Sequence, residues 1–229
     1  MPESLPLLRL DAVSKDYVSN GERVHALRDV SLTVGAGELV ALVGRSGCGK
    51  STLLNLAGAM DFPSSGRVLL NGTDTSTLGD AGLTKLRRES VGFVFQSFQL
   101  LPTLTVLENV ELPMLLAGHP DARGPAMEKL AWVEMDSLAA RFPHQLSGGQ
   151  QQRVAIARAL VHSPFLLLAD EPIGNLDSIT GNLVLDILRR TASERRVTIL
   201  MATHSAESTS AADIVVRLRD GHVETVTRN

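Results

Sequence analysis

The chain has one cysteine, one tryptophan and one tyrosine, and aromatic residues make up only 3% of its 229 positions. A lone cysteine, Cys48, excludes an internal disulfide and suits a reducing compartment. Long apolar runs are missing as well. Stretches such as "LVALV" at 39–43 fall far short of the roughly 18 residues a membrane span needs. The N-terminal "MPESLPLLRLDAV" has neither the basic start nor the long apolar stretch of a signal peptide. The expectation is a soluble, cytoplasmic chain, able to dock peripherally on a membrane protein. Charge of one sign is not in excess either: 22 Lys+Arg against 25 Asp+Glu give a formal net charge of −3. Basic clusters stop at pairs such as Arg87-Arg88 and Arg195-Arg196, which gives no footing for a nucleic-acid partner.

What the chain does have is 44% hydrophobic residues in a punctuated order, enough for a substantial core. "ELVALVG" (38–44), "VGFVF" (91–95), "FLLLAD" (165–170) and "VTILMAT" (197–203) are continuous apolar runs, the pattern of buried parallel strands. Residues 7–13 and 29–34 read as short strands with a turn-rich stretch, "VSNGE", between them, and "GRVLLNG" (66–72) as another strand. "DIVVRLRDGHVETV" reads as two strands around the Asp220-Gly221 turn. "KSTLLNLAG" continues as a helix closed by Gly58. From about 97 to 160 the β runs vanish, and "LTVLENVELPMLLAG" and "AMEKLAWVEMDSLAA" carry helical spacing. Ile179, Leu183 and Ile187, with Val184 and Leu188, mark one more amphipathic helix. The pattern predicts an α/β fold: a core from 1–96 and 161–229, interrupted by a helical module over 97–160.

"GRSGCGKST" at 44–52 matches G-x-x-x-x-G-K-[ST] between a buried strand and a helix, the context its mechanism requires. Gly44, Arg45, Ser46, Gly47, Cys48, Gly49, Lys50, Ser51 and Thr52 then form a phosphate cradle. Its glycines let the backbone wrap phosphate oxygens, Lys50 reaches the β/γ-phosphates, and Ser51 can coordinate Mg²⁺. Cys48 lies where lysine and a helix start can lower a thiol's pKa; a small residue that fits the loop is the plainer reading.

"FLLLADEP" ends a buried strand in two acids. Asp170 is placed to hold Mg²⁺ through water, and Glu171 to act as general base on an attacking water. His204 and Gln96 end two other apolar strands, where they can meet a γ-phosphate and the Mg²⁺ or attacking water respectively. Strand-end histidines and glutamines are common, so both readings rest on their company. Tyr17 can stack on adenine or be an ordinary strand aromatic.

A second cradle lies 97 residues beyond Lys50 (147 − 50), in "QLSGGQQQRVAIARAL" at 145–160. Ser147, Gly148 and Gly149 precede a helical run, where backbone N–H groups and the helix dipole favour an anion. One ATP offers one γ-phosphate, and the first cradle already surrounds it. The economical reading is that the second caps the ATP of another subunit, two chains meeting across a two-fold axis so that each completes the other's site.

In order, "GRSGCGKST", "LSGGQQQR", "FLLLADEP", "GNLD" and "TH" resemble the ATP-binding subunits of ABC transporters, over nearly the whole chain. The resemblance implies a RecA-like core with an antiparallel β subdomain and an inserted α-helical subdomain. It also implies a role for each matching position. Tyr17 becomes the adenine platform, Gln96 the Q-loop, Ser147, Gly148, Gly149 and Gln150 the signature, and Glu171 the base. Asn175, Leu176 and Asp177 become the loop that crosses the dimer interface, and His204 the switch histidine. More narrowly, "VGFVFQSFQLLPTLTVLENVELPMLL" and "LLLADEPIGNLDS" resemble the macrolide-exporter and lipoprotein-releasing group. That implies a homodimer on two permease subunits at the inner face of the cell membrane, passing closure across it as mechanical work.

Two positions depart from the group's pattern: Ile173 replaces its usual threonine, and Ser205 its usual aspartate after the histidine. Neither carries a direct role, so hydrolysis is expected to survive them. The runner-up is a cell-division ATPase of similar sequence that drives envelope remodelling. DNA-repair relatives would need a long coiled coil, translation factors two cassettes. A simple P-loop kinase would lack "LSGGQ".

Overall fold

In the computed structural model, which describes residues 6–19 and 22–229, the chain begins with two long strands. β1 (Leu8–Ser19) and β2 (Glu22–Val34) pair antiparallel along almost their full length. The short strands expected at 7–13 and 29–34 are therefore only the inner halves of a hairpin. Its outer half is solvated, with Glu22 to His25 all exposed, so no apolar run announces it. Residues 20 and 21 of the expected turn, and the first five of the N-terminal stretch, lie outside the described residues. β4 (Ser65–Leu70) adds to β1, and the two-residue β5 (Thr73–Asp74) to β4, giving an antiparallel sheet in the order β2-β1-β4-β5.

The second sheet has six strands in the order β10-β9-β3-β8-β7-β6. β3 (Leu39–Val43), β6 (Val91–Val94), β7 (Leu166–Asp170), β8 (Thr198–Thr203) and β9 (Ile214–Arg219) run parallel, and β10 (His222–Arg228) returns antiparallel after the Asp220-Gly221 turn. Every residue of β3 and β8 is buried, as continuous apolar runs require when both sheet faces are covered. Successive side chains alternate between two cores. Leu39, Ala41 and Val43 join one, with Leu167, Ala169, Ile199 and Met201. Val40 and Leu42 join the other, with Leu166, Leu168, Leu200 and Ala202.

The second of these cores also holds the antiparallel sheet and α1 (Lys50–Ala57). The first holds α3 (Val106–Leu116), α4 (Arg123–Trp132), α5 (Gly148–Leu160) and α6 (Ser178–Arg195). The helices of the 97–160 stretch thus share their apolar interior with one face of the parallel sheet. Trp132 reinforces this: its indole N–H donates to Thr191 Oγ1 at 3.0 Å, and the Arg190 and Arg195 guanidiniums lie 4.7 and 4.3 Å from its ring centre.

Two further helices, α2 (Asp80–Ser90) and α7 (Ala206–Ala211), complete the fold. The α2 helix had no counterpart in the sequence reading, because only Leu83 of it is buried. The helix expected from Ile179 onward does form, but its buried face differs. Ile179 is 76% and Leu183 51% exposed, while Val184, Leu185, Ile187 and Leu188 face the core. Among the described residues no helix is long and apolar enough to cross a membrane.

Candidate nucleotide site

The loops that leave β3, β6, β7 and β8 all emerge at the carboxyl edge of the parallel sheet, where open α/β folds bind ligands. They border a cavity of about 640 Å³ lined by Gly44 to Gly47, Gly49 to Thr52, Gln96, Asp170, Glu171 and His204. Motifs as distant as 44 and 204 therefore meet at one place. Val24, His25 and Ala26 of β2 close another side. Sequence reasoning missed these three, since only the long outer hairpin brings them to the cavity.

The loop after β3 is shaped by close approach. A Cβ at Gly49, where φ is +107°, would lie 2.6 Å from Ala26 O and 2.7 Å from Leu27 Cδ2. At Gly44 it would overlap Leu218 O. Lys50 Nζ donates to Gly44 O at 2.8 Å and to Arg45 O at 3.2 Å, so the ammonium lies against its own loop. Cys48 is only 5% exposed and packs in the core beneath, which favours the plainer reading of a small residue that fits. Ser51, Gln96 and Asp170 offer a hydroxyl, an amide and a carboxylate to the one cavity. These all-oxygen donors suit Mg²⁺, and no group of three or more His, Cys, Asp or Glu among the described residues forms a rival metal site.

Glu171 follows β7 in the left-handed region, with φ +48°, and its N–H donates to Ala202 O at 3.0 Å. Its Oε2 lies 2.8 Å from His204 Nδ1. An acid held in this way beside the cavity can take a proton from a water there. Asn175 Nδ2 donates to Gln96 O at 3.1 Å, which ties the loop after β6 to the loop after β7. Tyr17 is not part of the cavity lining. Its hydroxyl donates to Asp61 Oδ2 at 2.9 Å, and Lys15 Nζ sits 4.9 Å from its ring centre while bonding Asp61 Oδ1 at 2.6 Å. Burial, then Asp61, pushes the phenol pKa up. Asp61, another residue without a sequence signal, is held below the usual carboxylate range: burial opposes this, but hydrogen bonds from Lys15, the Phe62 N–H and Tyr17 outweigh it.

The second cradle lies elsewhere. Ser147 caps α5: its Oγ accepts from Gln150 N at 3.3 Å, and Gln150 Oε1 accepts from Ser147 N at 2.9 Å. Asp177 caps α6, accepting from Thr180 N at 3.0 Å and Thr180 Oγ1 at 2.7 Å, and those bonds hold its carboxyl below the ordinary range. None of these residues borders the cavity of the first cradle. The two glycines of "LSGGQ" also differ. A Cβ on Gly148 would find Leu176 Cδ2 and Phe98 Cζ at an ordinary 3.6 Å, whereas one on Gly149 would overlap Thr180 Cγ2. Gly149→Ala is thus expected to destabilise the fold by about 1–3 kcal/mol through overpacking, read from urea unfolding. Thr180→Ser, which deletes the offending methyl, should restore most of the loss; equal stability of Gly149→Ala and the parent chain would refute the contact.

A parallel sheet, a glycine-rich loop opening a helix, and two acids at the end of β7 define a P-loop nucleoside triphosphatase. The family model described as ABC transporter matches residues 27–174. The chain belongs to that family, as an ATP-hydrolysing subunit. It is 50% identical to the lipoprotein-releasing system ATP-binding protein LolD of Geobacter metallireducens, over 95% of this chain and 97% of that protein. To the macrolide export ATP-binding/permease protein MacB of Brucella melitensis it is 44% identical over 95% of its own length, but it spans only 34% of that protein. These similarities place it in the group of LolD and MacB ATP-binding proteins. Among solved structures, the dimeric post-hydrolysis cassette MJ0796 bound to ADP and Pi superposes with a TM-score of 0.87 at 41% identity, covering 96% of this chain and 98% of that one.

Proposed function

We propose that two copies of this chain close around two Mg-ATP and drive a membrane permease of the lipoprotein-releasing or macrolide-exporting kind. The observation that carries this is the separation of the two cradles. Ser147 to Gln150 stand outside the cavity that holds Lys50, and Gly148 would accept a Cβ at ordinary contact distance from Leu176 and Phe98, so its own chain's packing does not demand a glycine there. A second copy with its ATP is the natural partner, and the dimeric form of the related MJ0796 cassette supports it.

In this reading Gly44 to Thr52 hold the phosphates and Tyr17 meets the adenine. Glu171 takes the proton of the attacking water, and Gln96 and His204 orient that water and the γ-phosphate. Ser51, Gln96 and Asp170 would hold Mg²⁺, whose charge offsets that of the phosphates. Ser147 to Gln150 and Asp177 act on the partner's ATP. The helical module over 97–160 acts as a subdomain that carries the signature to that partner. The permease contact falls beside Gln96 and residues 100–110, where Leu101 is 43% exposed.

The test is to tag the chain, solubilise its native membranes in mild detergent and identify what co-purifies. A permease with few spans and a large external domain is expected. Division proteins or wall hydrolases in its place would move the function to envelope remodelling, and recovery of no membrane protein would sink the transport role.

A further inference from the structure

Arg158 lies in the last turn of α5, and its guanidinium reaches back to the loop that follows Gln96. Nη2 donates to Phe98 O at 2.8 Å, and Nη1 donates to Gln99 O. Burial alone pulls its pKa below the usual guanidinium value, with no carboxylate acting on it. Taking a guanidinium out of water against two neutral carbonyls is unfavourable, so the contact needs a reason other than generic stability.

The two residues it grips supply one. Phe98 and Gln99 are consecutive and both left-handed, with φ +59° and +54°. Non-glycine residues in that region are strained, and two in succession persist only where their surroundings hold them. The fork geometry of arginine fits two carbonyls presented side by side. The same turn meets α5 a second time. The Phe98 ring stands beside Gly148, at the distance where a Cβ would touch it, with Leu176 alongside. One helix therefore grips the Gln96 loop near its C-terminal end and touches it again at its N-terminal end.

We propose that Arg158 is a positioning residue for ATP hydrolysis, clamping the Phe98 and Gln99 carbonyls so that the Gln96 loop and the signature end of α5 move as one piece. The effect on hydrolysis rests on the role proposed for Gln96, while the clamp itself does not.

The experiment measures steady-state ATPase, ATP affinity and thermal unfolding of the full chain for Arg158→Met, Arg158→Lys, Gln96→Ala and the Met/Ala double variant. Arg158→Met should lower kcat roughly tenfold to a hundredfold while KM for ATP stays within about twofold. Lysine, which cannot reproduce the fork, should fall between. In the Gln96→Ala background Arg158→Met should cost nothing more, because both changes act on one step. Gln99→Gly, which takes the left-handed backbone without strain, should recover part of the Arg158→Met loss.

An unchanged kcat in Arg158→Met overturns the inference. So does a loss that multiplies with that of Gln96→Ala, or one accompanied by equal losses of Tm and ATP binding. Should Arg158→Met not fold, Arg158→Lys with and without Gln99→Gly decides, and full activity of the first or no recovery in the second overturns it. An inert Gln96→Ala beside a rescuable Arg158 variant would remove Gln96 from the reaction and leave the clamp standing.

Discussion

Glu171→Gln should bind ATP with nearly unchanged affinity, lose on the order of a hundredfold or more in turnover, and accumulate as a dimer in Mg-ATP. The amide keeps the volume and can still bond to His204, which lies 2.8 Å from Glu171 Oε2. It also leaves the N–H contact to Ala202 O undisturbed, since that belongs to the backbone. What it removes is a carboxylate beside the cavity that, on the proposed reading, takes the proton of the attacking water. With hydrolysis blocked, ATP at the interface stays intact and its linkage to the dimer persists. Light scattering reads the outcome directly: a monomer in saturating Mg-ATP would count against the sandwich, and retained turnover against the base.

Gly148→Asp is the second large effect. The position tolerates a Cβ within its own chain, with its nearest neighbours at 3.6 Å, so the variant should fold and bind ATP as the parent does. On the proposed reading a carboxylate there faces the partner's γ-phosphate in the closed dimer, where like charges repel. Hydrolysis should fall to background, and mixing with Lys50→Ala chains should restore part of it, since each heterodimer then pairs the intact Lys50 cradle of one chain with the intact signature of the other. Unimpaired ATPase activity in Gly148→Asp would remove the signature from the reaction.

The parallel sheet was legible because burial on both faces writes itself as uninterrupted apolar letters. The runs at 38–44, 165–170 and 197–203 correspond to β3, β7 and β8 within a residue or two at each end. Elements that bury little left no such mark. The α2 helix shows the core only Leu83, and the outer half of β2 is exposed from Glu22 to His25. That half-strand carries Val24, His25 and Ala26 to the cavity, so part of the candidate site was invisible for the same reason. In α6 the helix was real but its buried face was assigned to the wrong side, since Ile179 and Leu183 face outward and the core is met by Val184, Leu185, Ile187 and Leu188. The phosphate loop and the strand-end acids were legible by another route. The loop is marked by its internal G-x-x-x-x-G-K-[ST] spacing, and the acids by ending the buried apolar run of β7. Contacts such as Arg158 with Phe98 and Gln99 join residues about 60 positions apart with no pattern between them.

Gly148 and Gly149 are the same letter under different jurisdictions. Gly149 answers to Thr180 of its own chain, while Gly148 meets Leu176 and Phe98 only at ordinary contact distance and, on the proposed reading, answers chiefly to a twin. Consider a lineage in which the gene duplicates and the copies pair with each other. If one of the two composite sites stops turning over, the first glycine of the signature serving that site is released and can drift to other residues. The second is not, because the copy that bears it must still fold. Such a pair would record its division of labour in a single position, and the adjacent one would stay silent about it.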